Sequence, residues 1–228
     1  MEPPIVLDVP ETIGSDWIAA AVARLGDAGG AIVIRGLDRV FCVGLPLERA
    51  ATDCGPWGPA AVRALRCFLN RLRHEHRPIL CLVGGEAKGA GVGLAAVADV
   101  VVAHPAATFQ LPEVIFGLIP SVVLPVLAAR VGWPIAKRMA LGSEPLTSSE
   151  ALRCGLVDRI SSRLDSDMAT HLDRWRKAHP DAIAAVRRLV AQGWPPKRAQ
   201  RVFEELWSCH AQRRISRFID GGSPWSLE

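Results

Sequence analysis

No window of this 228-residue chain reaches 18 uninterrupted apolar residues, which argues against a membrane-spanning helix. The opening MEPPIVLDVPE is acidic and proline-rich, with neither the basic start nor the apolar run of a secretory leader. Cys42, Cys54, Cys67, Cys81, Cys154 and Cys209 lie far apart, without CxxC or a Cys/His pair at zinc spacing. They read as reduced, mostly buried small side chains, and no metal site is expected. Basic tracts with interleaved aromatics are missing too. All but four of the 27 basic residues are arginine, yet the net charge is only +4, so nucleic acid is not an expected partner. From these absences a cytoplasmic protein is expected. The chain also lacks a G-K-[ST] ending and any GxSxG, which removes the P-loop and the serine-hydrolase elbow.

What is present fits one compact domain with a sizeable core: half of the residues are apolar and 22% are charged. IVLDV (5–9) and AIVIRG (31–36) read as strands around a helix, SDWIAAAVARLG, with Ser15 as its N-cap and Gly26 as its stop. Residues 59–76 carry Val62, Leu65, Leu69 and Leu72 at helical spacing. PILCLVGG is continuously apolar, as expected for a strand covered on both faces, and DVVVA (99–103) and TFQ (108–110) read as further strands. Ser148 or Ser149 can cap a short helix ended by Gly155, before a strand at LVDRI. From about 165 the pattern is helical, with an apolar stripe through Ala199, Val202, Phe203, Leu206 and Trp207.

VGGEAKGAGVGLAAVAD (83–99) places five glycines in eleven positions between a buried strand and a small-residue stretch. Such a turn lets another group approach the backbone and leaves the first helical N–H groups free for negative charge. Three readings compete for it. A dinucleotide fingerprint fails because Leu94 stands where a third small residue belongs. The others are tight helix-on-sheet packing and an oxyanion hole at Ala90, which would need a second donor and a base.

The ordered series FCVG, GAGVGLAAVAD, LPEVIFGLIP and GSEPLTSSEALRCGLVD resembles the crotonase (enoyl-CoA hydratase/isomerase) superfamily over about 130 residues. The resemblance implies an α/β fold, a spiral of β-β-α units over residues 1–164 with a helical C-terminal layer over 165–228. It implies an oxyanion hole from the backbone N–H groups of Leu45 and Ala90, with Cys42, Val43, Gly44, Gly89, Gly91 and Gly93 around the substrate. Glu113 of LPEVIFG matches the family's glutamate and would be the general acid/base at the substrate α-carbon. A second carboxylate belongs six residues before the aspartate at the helix end. Counting back from Asp99 gives Gly93, so it is missing.

That vacancy turns the expectation toward chemistry with one base and an oxyanion hole: elimination of water from a 3-hydroxyacyl thioester, double-bond isomerisation or decarboxylation. The motifs look most like crotonases of polyketide assembly lines, some of which dehydrate and others decarboxylate carrier-bound units. No cofactor is implied beyond the thioester carrier, coenzyme A or the phosphopantetheine of an acyl carrier protein, and the assembly implied is a homotrimer or hexamer. A catalytically idle scaffold subunit is the alternative that the empty Gly93 position leaves open. Pro46, where the family carries aspartate, points to a reshaped pocket mouth.

Overall fold

The computed structural model describes residues 2–26, 29–36, 39–46 and 57–192. Its frame is a five-stranded parallel sheet in the order β1 (Ile5–Asp8), β2 (Ile32–Gly36), β4 (Ile79–Val83), β6 (Val100–Ala103) and β9 (Arg159–Ile160). A smaller sheet runs β3 (Val40–Cys42), β5 (Glu86–Lys88), β7 (Thr108–Gln110) and β8 (Leu146–Thr147), parallel except for its last pair. Successive units give one strand to each sheet and then a helix. β2 and β3 precede α2 (Trp57–Arg73), β4 and β5 precede α3 (Ala90–Val97), and β6 and β7 precede α4 (Val123–Val131). This repetition is the expected β-β-α spiral.

Burial explains why the central strands show no alternation. β4 is buried along its whole length. Ile79, Cys81 and Val83 join the main core, whereas Leu80 and Leu82, with Val33 and Val102, face the other way under Leu164. That second face is covered by α7 (Leu164–Arg176), which lays Met168, Leu172 and Trp175 on it. The division expected between 164 and 165 therefore falls in the first turn of α7, a helix that completes the core. Beyond α8 (Pro180–Gln192), the stripe from Ala199 to Trp207 lies outside the described residues, as do Cys54 and Cys209.

Local details sharpen several expectations. α1 (Ser15–Leu25) begins after Gly14, so Ser15 is its first helical residue and not its cap; Ile18, Ala21 and Leu25 form its buried side. α2 buries Ala61, Leu65, Phe68, Leu69 and Leu72, one stripe at helical period. The short helix α6 (Ser148–Arg153) is capped by Thr147 in a reciprocal box with Glu150, one residue before Ser148 and two before Ser149, the expected caps. EAK and LT, too short to show a period, are strands β5 and β8. Cys42 and Cys81 are buried as expected, but Cys67 is exposed because it lies off the apolar stripe of α2. No helix among the described residues is long and apolar enough to cross a membrane.

Candidate active site

β3, β5 and β7 are parallel neighbours, so all three finish at one edge of the small sheet. Ligands in parallel sheets bind at that carboxyl edge. Leu45 lies three residues beyond β3, Ala90 two beyond β5 and Glu113 three beyond β7. Three distant stretches of sequence thus arrive at one place.

The loop after β3 is anchored from outside: the Val43 N–H donates to the Glu11 carbonyl at 2.8 Å, and the Gly44 carbonyl accepts from the Ile13 N–H at 2.9 Å. Gly44 has φ of +97°, a conformation that residues with side chains rarely adopt. A Cβ there would stand 3.4 Å from the Lys88 carbonyl oxygen and 3.5 Å from the Ala90 nitrogen. The loop carrying Leu45 therefore lies against the turn carrying Ala90. Gly89, at φ +50°, donates its N–H to the Gln110 carbonyl at 3.0 Å and closes β5 against β7. Ala90 then opens α3, where a first-turn N–H has no intrahelical partner and the helix dipole is positive. Among the described residues, neither the Leu45 nor the Ala90 N–H donates to a turn or loop carbonyl.

Glycine at 91 serves packing. A Cβ there would overlap the Cys42 carbonyl oxygen, so β3 rests directly on the first turn of α3. The Cys42 thiol is buried, and desolvation pushes it up to about 11 against a hydrogen bond with the Gly44 backbone. Burial and a raised pKa are the marks of an inert, structural cysteine.

Glu113 begins the 3-10 turn Glu113–Phe116 after Pro112. Its Oε1 would lie 3.1 Å from a Cβ on Gly89, and its Oε2 is buried without a hydrogen-bond partner. Burial raises this carboxyl above the ordinary carboxylate range, with its own backbone N–H working weakly the other way. Support comes from α5 (Trp133–Gly142): Gln110 Nε2 donates to the Ser143 carbonyl at 2.7 Å, and Ser143 Oγ donates to the Leu111 carbonyl at 3.1 Å. Sequence reasoning missed Ser143, whose only signal was its place just past a helix end.

Gly93 is placed differently from Gly89. A Cβ at 93 would meet Leu69 Cδ1 at 3.1 Å and Val123 Cγ2 at 3.2 Å, both side chains buried. The position where a second carboxylate was expected opens onto hydrocarbon contributed by α2 and α4. Leu69 was legible only as one member of a helical stripe, and Val123 carried no signal. The remaining polar neighbours of the turn have partners of their own. Lys88 pairs with Glu86 at 2.7 Å, and His104 Nδ1 accepts from the Ala106 N–H at 3.2 Å. Asp99 accepts from the Ile79 N–H at 2.6 Å and pairs with Arg187, a structural tie.

Among known proteins, the enoyl-CoA hydratase/isomerase family model matches residues 17–209. The chain belongs to that family. It is 28% identical over 162 residues to the bacillaene synthase dehydratase PksH of Bacillus subtilis (strain 168), across 70% of this chain and 62% of that protein. It is 35% identical over 165 residues to the 2,3-dehydroadipyl-CoA hydratase of Escherichia coli (strain K12), across 70% of this chain and 63% of that one. The match thus spans under two thirds of the length of these relatives. The fold is that of the crystal structure of an enoyl-CoA hydratase from Shewanella pealeana ATCC 700345, with a TM-score of 0.83 at 22% identity, covering 98% of this chain and 91% of that chain. Within the family, the chain also resembles the crystal structure of a putative polyketide biosynthesis enoyl-CoA hydratase (pksH) from Bacillus subtilis, with a TM-score of 0.73 at 25% identity, covering 84% of this chain and 78% of that chain.

Proposed function

We propose that this family member is an enzyme acting on acyl thioesters, dehydrating a 3-hydroxyacyl thioester or hydrating the corresponding enoyl thioester. The observation that carries the reading is the buried, unpartnered carboxyl oxygen of Glu113, one residue from the open N–H of Ala90. A burial-raised carboxylate is a stronger base than an exposed one, and in this reading it takes the proton from the thioester α-carbon. The thioester carbonyl would accept from the Leu45 and Ala90 amides, which hold the charge that builds as the α-proton leaves. The acyl carrier is coenzyme A or the phosphopantetheine of a carrier protein in a polyketide-type pathway. The name of the relative PksH, a bacillaene synthase dehydratase, supports that context.

Self-association belongs to the same reading. Ile115, Phe116, Leu118 and Ile119 on the Glu113 segment are exposed, as are Trp133 and Leu141 on α5, which packs against that turn. A contiguous apolar surface of this kind marks an interface. A homotrimer or hexamer would bury it.

The test is a panel of 3-hydroxyacyl, enoyl and malonyl-type thioesters in deuterated water with products weighed by mass spectrometry. Loss or gain of water is the expected result. Loss of carbon dioxide alone would make the protein a decarboxylase, deuterium uptake with a displaced double bond an isomerase, and an unreacted panel a scaffold.

A further inference from the structure

The two sides of α2 are chemically unlike. Leu65, Phe68, Leu69 and Leu72 are buried, whereas Arg63, Arg66, Cys67, Asn70 and Arg73 are exposed on the opposite face, with exposed His74 continuing it past the last turn. From Trp57 to Arg73 the helix contains no aspartate or glutamate. The charge on α7 is mixed by contrast: Asp173 pairs with Arg176 at 2.8 Å and with Lys177 at 2.7 Å. From Arg63 to Arg73 the positive band runs about 15 Å along α2. Its position ties it to the thioester site. Arg187 donates to the Leu72 carbonyl at 2.9 Å and to the Asp99 carboxylate, so α2 and α3 end side by side. Further back, Leu69 lies against Gly93. Three residues back again along each helix, Arg66 on α2 comes level with Ala90 on α3.

We propose that the arginine face of α2 is the docking surface for an acidic helix of the acyl carrier protein that delivers the thioester. The proposal rests on the thioester reading above and chooses between its two carriers. The phosphates of coenzyme A are a compact anion that one or two cations can hold. A band three turns long matches instead a helix of opposite charge laid along it, and arginine clusters are a recurring means of recognising acidic segments. A face without carboxylates also attracts such a partner over distance, raising its rate of encounter without fixing which acyl group it carries. Because Arg66 stands level with Ala90, a carrier seated here would hold its phosphopantetheine arm beside the turn that is to receive the thioester carbonyl.

The experiment uses the full chain and one 3-hydroxyacyl group in two forms, its coenzyme A thioester and its thioester on a holo acyl carrier protein of a polyketide-type assembly line. Arg63→Glu/Arg66→Glu should lower kcat/KM for the carrier-bound substrate by about tenfold or more, through KM, and remove most of its salt dependence. Turnover of the coenzyme A thioester should stay near the parent, and Arg63→Lys/Arg66→Lys should keep most of the carrier-bound activity. Docking is also read without turnover. Cys67 is exposed within the band, so excess acyl-free carrier protein should slow its alkylation by iodoacetamide, followed by peptide mass spectrometry, in the parent and not in the reversed-charge variant. A fall on both substrates alike, a fall on neither, a parent that ignores the carrier-bound form, or an unprotected Cys67 would each overturn the docking surface and leave the dehydration reading intact. If neither thioester is turned over, that reading fails instead, and protection of Cys67 decides the docking surface alone.

Discussion

At the scale of single residues, the two amides proposed for the oxyanion hole and Glu113 differ in what their replacement should reveal. The backbone donor at Ala90 is removed most cleanly by incorporating the α-hydroxy analogue of alanine, which turns one amide into an ester and leaves the side chain unchanged. Loss of one preorganised donor should lower kcat by about 10²- to 10³-fold while circular dichroism and melting temperature stay near the parent. Glu75 provides the structural contrast. It is buried among Arg71, Arg77 and the N–H groups of His76 and Arg77, and its carbonyl accepts from Arg187 on α8. Burial alone would raise its pKa, but the hydrogen bonds and charge of Arg77, with Arg71 behind it, outweigh this and hold it at about 2. A depressed carboxylate contributes stability above its unfolded pKa and loses that contribution as pH falls toward the folded value. Glu75→Gln should therefore cost about 3–5 kcal/mol near neutral pH, and calorimetry should show a flatter fall in stability between 4.5 and about 2 than in the parent.

At the scale of elements, the site is a consequence of three parallel strands ending together. Their chain order was recoverable from motifs, but their adjacency was not, because β5 and β7 are three residues each and the pairing β3-β5-β7 is non-local. From the sequence, the resemblance puts both Gly89 and Gly91 around the substrate. The structure separates their physical reasons: Gly89 takes a positive φ beside Glu113, whereas Gly91 admits the carbonyl of Cys42. Gly93 was legible as a missing carboxylate, yet what fills its surroundings could not be read, because Leu69 and Val123 arrive from two other helices. Gly91→Ala follows from this distinction. Its Cβ must push β3 off α3, displacing Leu45 relative to Ala90, so thioester turnover should fall at least tenfold and stability by 1 kcal/mol or more, on the order of other overpacked sites. Thermal melts and steady-state kinetics on the same sample check both.

At the scale of the whole molecule, the parallel frame was predictable from buried apolar runs, but the second core under α7 was not. Met168, Leu172 and Trp175 are spaced as in any surface helix, and only the sheet shows that their partners are Leu80, Leu82 and Val102. The exposed group Ile115, Phe116, Leu118, Ile119, Trp133 and Leu141 is the complementary observation, an apolar surface that the described residues leave uncovered. Ile119, at 76% exposure, and Leu141, at 69%, are free to change without cost to the core. The double variant Ile119→Asp/Leu141→Asp should shift the protein from oligomer to monomer by light scattering, with helical content retained. A monomeric parent would remove the basis of that prediction.

The central claim is that Glu113 is the proton-transfer group of a thioester site. It is tested most directly by rapid-quench mass spectrometry of α-hydrogen exchange and water loss on a 3-hydroxyacyl thioester in deuterated water, comparing the parent with Glu113→Gln. Both events should occur in the parent, and each should fall by about 10²- to 10⁴-fold in the variant. Equal rates in the two proteins would contradict it.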